Sequence, residues 1–218
     1  MNRVLVVAAH PDDELLGVGG IVIRHTQAGD EVRSIIMCEG ESLRYKDDVG
    51  QNTAICEAAE VMGVRKVYHL KYPDQKLDAY TLTDLITPLE EISEEFCPNI
   101  VYCQSGCDAN RDHKILFEAA MIAFRPTSMW IEDFYGFYTA SSTEWGYPRN
   151  FIPDTWVDIS DVLGKKIEAF EKYHSELREY PHPRSSDSLR FQAHFWGNQC
   201  CMDAAEVLMT VRRISRKI

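Results

Sequence analysis

Nowhere in the 218 residues is there an apolar run long enough to cross a bilayer, which needs about 20 residues as a helix. The apolar opening, Val4-Leu5-Val6-Val7-Ala8-Ala9, is short and leads into His10-Pro11-Asp12-Asp13-Glu14. A secretory leader would end in small residues at a cleavage site, so the opening reads as a strand. Positive charge is also scarce, with 23 Lys and Arg against 34 Asp and Glu and a net charge of −11. A phosphate-backbone partner normally meets a basic face, so nucleic acid is not an expected partner. The most basic stretch, Arg212, Arg213, Arg216 and Lys217, reads as a solvated helix end that complements the helix dipole. The seven cysteines are odd in number and scattered, and adjacent Cys200-Cys201 has no matching pair elsewhere. Neither a disulfide framework nor a structural Cys-type zinc site fits; reduced core thiols in a cytoplasmic protein do. Repeats, low-complexity linkers and a domain boundary are absent too.

What is present is alternation. Apolar runs at Val4–Ala9, Val32–Met37, Val67–Leu70, Ile100–Cys103 and Met129–Phe134 read as strands, with Thr155–Ile159 as a further extended piece. Between them, Leu15–Gln27, Asn52–Met62, Thr83–Phe96 and His113–Phe124 carry helical spacing. Helical stretches are expected to close the chain over Val162–Arg178 and Ser188–Ile214, the latter interrupted near Trp196-Gly197-Asn198. Strand and helix in turn predict a parallel sheet covered by helices. With 45% hydrophobic residues the chain can fill such a core. The expected fold is α/β: a single Rossmann-like three-layer domain over residues 1–218, with a mostly parallel sheet and C-terminal helices.

The chemistry concentrates in His10-Pro11-Asp12-Asp13-Glu14, at the carboxyl end of the first strand. Ligands of open α/β sheets bind outside those strand ends. Acids packed so closely repel one another unless a cation sits among them. His and Asp suit zinc, and a catalytic site takes three protein ligands and keeps one position open. The competing reading is a helix start capped by Asp12 or Asp13. It leaves His10 unexplained, as well as Gly17, Gly19 and Gly20, which weaken a helix by up to ~1 kcal/mol each. Gly17-x-Gly19-Gly20 is not a dinucleotide fingerprint, because the turn before it is acidic. A further ligand can come from Cys107-Asp108-Ala109-Asn110-Arg111-Asp112-His113, which follows the fourth strand at the same sheet edge. Taken alone, His113 reads better as a helix-start residue with Asp112 as cap; beside the first motif the two readings stand level.

Ala9-His10-Pro11-Asp12-Asp13-Glu14, with Gly17 and Gly19-Gly20 after it, resembles the opening motif of the PIG-L-like (LmbE-like) deacetylases, Ala-His-Pro-Asp-Asp-Glu. Weaker similarity continues in Tyr72-Pro73-Asp74-Gln75, in Pro153-Asp154 through Ser160, in Lys165-Lys166 and in Tyr173-His174-Ser175. Ala205-Glu206 and Val211-Arg212 resemble the family's last helix. The resemblance implies a metal held by His10, Asp13 and His113, zinc or another divalent ion. It implies Asp12 as the general base for the attacking water, with Glu14 and Asp112 in supporting places. The implied reaction removes an N-acetyl group from an N-acetylglucosamine-type conjugate, a small-molecule partner. A related amidase acting on a larger acyl or thiol-linked amide is the alternative, as is an impaired sugar-binding homologue. Whether the chain forms a homo-oligomer is left open.

This chain departs from the family pattern in the second motif. Asn110 stands where the family usually has a histidine that helps stabilise the oxyanion; loss of one such donor costs roughly 2.7–4 kcal/mol in well-studied cases. Asn110 is expected to take that catalytic place, or Arg111 or another cation to take it over. Many members also carry a sugar-contacting arginine near the second helix, where this chain has Gln51 and Asn52, with Arg44 upstream. Arg44, Arg111 and His182 are therefore the candidate substrate-binding residues. The Pro181-His182-Pro183-Arg184-Ser185 loop reads either as a pocket wall or, as favoured here, as a surface connection between helices.

Overall fold

A computed structural model describes residues 1–41 and 50–216. Arg44 and Lys217 lie outside the described residues. The strands are β1 (Arg3–Ala8), β2 (Glu31–Cys38), β3 (Lys66–Tyr72), β4 (Ile100–Gln104), β5 (Asp133–Phe137), β6 (Thr155–Asp158) and β7 (Ala205–Arg213). They form one seven-stranded sheet in the order β3-β2-β1-β4-β5-β7-β6. β1 to β5 run parallel, while β7 is antiparallel to both β5 and β6.

β1 is apolar throughout because both of its faces are covered. Its Val4 and Val6 pack against α1 (Asp13–Gln27), α2 (Gln51–Met62), α5 (Leu163–Phe170) and α6 (Ser186–Asn198). The alternate residues Leu5 and Val7 face α3 (Leu82–Phe96) and α4 (Arg111–Ala123). Helices, sheet and helices make the expected layers. The chain winds outward from β1 through β2 to β3 and then returns to β4 on its other side. The loops leaving the carboxyl ends of β1 and β4 therefore diverge and open a crevice.

The chain's end is a correction. Ser188–Ile214 is not a helix: α6 stops at Asn198, and Ala205–Arg213 enters the sheet between β5 and β6. The apolar residues of this stretch fit a strand as well as a helix, and pairing with two exposed strand edges decides for the strand. The return is tight at Gly197, where a Cβ would lie 2.6 Å from the Met202 carbonyl oxygen. Arg212 and Arg213 therefore do not complement a helix dipole. Arg212 reaches the Phe124 carbonyl and lies over the Phe134 ring, and Arg213 pairs with Asp133 at 3.4 Å. The helix expected over Val162–Arg178 shortens to α5, and residues 171–178 are turns and irregular chain. The strand expected at Met129–Phe134 starts later, at Asp133, where pairing with Ile100–Gln104 begins.

Candidate active site

Asp13 and Glu14 open α1, and Asp12 stands at its N-cap position without making a capping hydrogen bond. Instead Asp12 holds φ 94°, a left-handed conformation that costs a non-glycine residue on the order of 1–3 kcal/mol. Its backbone still serves the helix, as its carbonyl accepts from the Leu15 and Leu16 amides at 3.0 and 2.8 Å. The capping reading thus describes the backbone here, while the carboxyls of Asp12 and Asp13 are engaged elsewhere.

His10, Asp13 and His113 converge from the two loops. His10 Nδ1, His113 Nε2 and Asp13 Oδ2 lie 3.2 Å from one another along every edge of the triangle. All three residues are buried, and Asp13 Oδ1 has no hydrogen-bond partner. Ligands bonded to a tetrahedral zinc at about 2.0 Å lie about 3.3 Å apart. The donor set, two imidazole nitrogens and a carboxylate, is one that zinc takes, so the residues fit a divalent cation.

Each imidazole is gripped on its far side as well. His113 Nδ1 lies 3.0 Å from Asp108 Oδ2, which leaves Nε2 to face the cluster. His10 Nε2 has Asp112, Asp74 and the Gln75 amide at 3.2, 3.2 and 3.1 Å, which leaves Nδ1 to face it. Carboxylates behind metal-binding imidazoles set their tautomer and orientation. Gln104 links the two halves of the site, donating to Asp13 Oδ2 at 2.6 Å and accepting from the Ala9 amide at 2.8 Å. Burial alone would push the His113 imidazole down, but Asp13 and Asp108 outweigh it and carry the group up to about 10. Burial would raise the Asp13 carboxyl; the two imidazoles hold it well below the usual range.

Asp12 is different. Burial pushes its carboxyl well above the usual range; Arg184 opposes that, while Asp13, Glu176 and Glu14 add to it. Arg184 Nη1 lies 3.1 Å from Asp12 Oδ2 and 2.7 Å from Glu176 Oε2, and its Nε donates to Ser141 Oγ at 2.7 Å. The Pro181–Ser185 loop is therefore more than a surface connection, because it brings a largely buried guanidinium onto Asp12. Residue type alone could not reveal this, since burial of Arg184 depends on Asp12 arriving from the far end of the chain to join nearby Glu176. Asp74 and Asp108 had a fainter signal, as each follows a parallel strand at the edge where His10 lies.

The remaining candidates scatter. Asn110 N-caps α4 through its side chain, accepting from the Asp112 amide at 2.9 Å, so the cap expected of Asp112 is supplied by Asn110. Asp112 instead meets His10, the Leu77 amide at 3.2 Å and the Cys38 thiol at 3.7 Å. Arg111 is exposed and pairs with Asp78 at 3.4 Å, away from the cluster. His182 sits half-buried, edge-on to Trp145 with centroids 6.1 Å apart, and its Nδ1 accepts from the Arg184 amide at 3.0 Å. Glu14 accepts from Tyr173 at 2.8 Å, and burial lifts its carboxyl to about 7. No helix among the described residues is long and apolar enough to cross a membrane.

Known proteins resemble this chain in sequence and in fold. A curated relative in Escherichia coli, the uncharacterized deacetylase YaiS, is 26% identical over 178 residues, covering 79% of this chain and 90% of the relative. Diacetylchitobiose deacetylase of Thermococcus kodakarensis is 25% identical over 193 residues, covering 82% and 72%. The fold matches conserved protein TT1542 of Thermus thermophilus with TM-score 0.81 at 22% identity, covering 100% of this chain and 98% of the other. It also matches GalB of Pseudomonas putida, a 4-carboxy-2-hydroxymuconate hydratase, with TM-score 0.78 at 21% identity and full coverage of both chains. A family model described as PIG-L, GlcNAc-PI de-N-acetylase, matches residues 5–124, and this chain belongs to that family.

Proposed function

We propose that this protein is a divalent-metal-dependent N-deacetylase that hydrolyses the acetamide of an N-acetylglucosamine-type conjugate to the free amine and acetate. One observation carries the reading: His10, Asp13 and His113 present ligand atoms 3.2 Å apart beside the Asp12 carboxyl. The named activities of its relatives supply the substrate class, diacetylchitobiose deacetylase among them. A cation held by His10, Asp13 and His113, zinc by its donor set, supplies Lewis acidity to an amide carbonyl and acidifies water.

The chain's own groups carry the proton. Asp12 accepts it from the attacking water and returns it to the departing nitrogen, so that water adds to the carbonyl carbon as the C–N bond breaks. Burial lifts this carboxyl, which strengthens it as the acceptor in the first of these transfers. Arg184, braced by Glu176 and Ser141, fixes the carboxyl's direction. Asn110 spends its carbonyl oxygen on the helix cap, so any hydrogen bond it gave a developing oxyanion would come from its Nδ2, a neutral donor. The second reading, a sugar-binding protein impaired in turnover, rests on that neutral amide.

The test is acetate release from methyl N-acetyl-β-D-glucosaminide and diacetylchitobiose by zinc-loaded protein. Asp12→Asn is expected to lose about 100- to 10,000-fold in kcat while retaining its zinc. A full rate in Asp12→Asn removes Asp12 from the reaction. Absence of acetate from the wild type, with release appearing in Asn110→His, moves the chain to the second reading.

A further inference from the structure

We propose that Glu144 is a positioning residue for the cluster, fixing one turn from which Asp108 and Arg184 are both held in place. The inference rests on the reading above and concerns how its groups are held. The turn, at residues 139–145, follows the carboxyl end of β5, beside the loop after β4 that leads to His113. Glu144 Oε1 accepts from the Ser141 amide at 2.8 Å, and Oε2 accepts from the Ser142 amide at 3.2 Å. The Tyr138 hydroxyl bonds to the same carboxylate. Bonds to an ionised acceptor are roughly twice as strong as neutral ones, so two successive amides are firmly held.

Ser141 needs that hold. Its φ is 66°, in the left-handed region that disfavours a residue with a Cβ. Strain of this kind persists only where the surroundings over-determine it. With the backbone so fixed, two adjacent hydroxyls serve the two halves of the site. Ser141 Oγ accepts from Arg184 Nε at 2.7 Å, and Arg184 lies on Asp12. Ser142 Oγ donates to Asp108 Oδ1, while Asp108 Oδ2 lies 3.0 Å from His113 Nδ1. Thr143 Oγ1 donates to Asp108 Oδ2 at 3.0 Å and accepts from the Thr139 amide at 2.8 Å. The Ser142 carbonyl also accepts from the Ala109 amide at 3.3 Å, so the turn grips the backbone of the β4 loop as well. Asp108 and Ser142 are both buried, and a bond lost there is not made up by water.

The partner behind a metal-binding imidazole governs its orientation and its affinity for the ion. Here that partner and the partner of the base are tied to consecutive residues. Cation and base are thereby set relative to each other through one element, and rates fall steeply when such spacing relaxes.

The experiment measures zinc Kd by competition with a chromophoric chelator and kcat for diacetylchitobiose at saturating zinc. The melting temperature of zinc-free protein is read alongside. Ser142→Ala and Glu144→Ala are each expected to weaken zinc binding about tenfold, the lower end of what outer partners of such imidazoles contribute. The double variant is expected to lose no more than the worse single one, because both changes act through the turn. Ser141→Ala is expected to keep its zinc Kd and to lose about tenfold in kcat. Where Glu144→Ala does not fold, Glu144→Gln, which keeps one of the two acceptors, is read in the same way. A zinc Kd within about threefold of the wild type in either the Ser142 or the Glu144 variant overturns the inference, even if the melting temperature falls. So do additive losses in the double variant, or a full kcat in Ser141→Ala. The expected zinc losses without acetate release by the wild type keep the hold on His113 and remove the hydrolytic reading instead. A wild type that binds no zinc ends both.

Discussion

Asp30 shows how a single carboxyl ties down the end of the sheet remote from the site. It accepts from the Asn2 amide at 2.6 Å, from the Asn2 side chain at 3.0 Å and from His25 Nδ1 at 2.8 Å. His25 Nε2 in turn meets the Tyr102 hydroxyl at 3.0 Å. Burial would raise the Asp30 carboxyl, but the Asn2 and His25 contacts outweigh it and hold the group at about 2, against 3.8 for a free side chain. A depressed folded value means that the folded state favours the ionised form. The resulting stability is present above pH 3.8 and is lost as the pH falls towards 2. Asp30→Asn is expected to lower the melting temperature at pH 7, and the gap from the wild type should close between those two pH values. A gap that stays constant down to the lower value would mean that the carboxyl's charge does not brace this corner.

At the scale of the element, α1 explains why its glycines are where they are. The helix breaks at Val18, whose φ and ψ of −135° and 20° are not helical. A Cβ on Gly17 would lie 2.1 Å from the Phe137 ring, and one on Gly20 would lie 2.7 Å from Ile159, so the broken helix rests directly on its neighbours. The break leaves backbone groups unpaired, and a buried ion pair takes them. Glu206 of β7 accepts from the Gly20 and Ile21 amides, both at 2.8 Å. Lys166 of α5 donates to the Leu16 carbonyl at 3.0 Å and to Glu206 at 2.7 Å. Removing one partner of such a pair costs about 3–5 kcal/mol. Glu206→Ala is expected to lose that much in urea denaturation, since two amides and an ammonium lose their acceptor together. Lys166→Met should lose less, because Glu206 keeps its backbone donors. Equal and small losses, below about 1 kcal/mol, would show that the break stands without the pair.

Across the whole molecule the cluster is a junction. The loops after β1 and β4 meet there, with Asp74 from the loop after β3 and Arg184 from the segment before α6. A cation that binds the folded chain alone adds stability in proportion to its saturation, about 2.7 kcal/mol at a hundredfold excess over Kd. Zinc is expected to raise the melting temperature and a chelator to lower it, with His113→Ala unresponsive to both. A melting temperature indifferent to zinc in the wild type would end the case for a resident cation.

The local pattern of residues determined much of this protein. Apolar runs covered on both faces announced the parallel strands, and helical spacing announced α1 to α4. The crowding of His10, Asp12 and Asp13 at a strand end announced where chemistry could be done, because such a cluster is costly without a counter-charge. What only the tertiary structure decided depends on partners remote in sequence. Ala205–Arg213 became a strand because two sheet edges were free to pair with it. Arg111 turned to Asp78, and Arg184 entered the site because Asp12 was there to share its charge with Glu176. A residue's own periodicity reports which face it occupies, whereas the burial of a charge is set by what arrives opposite it, and that is a property of the folded chain alone.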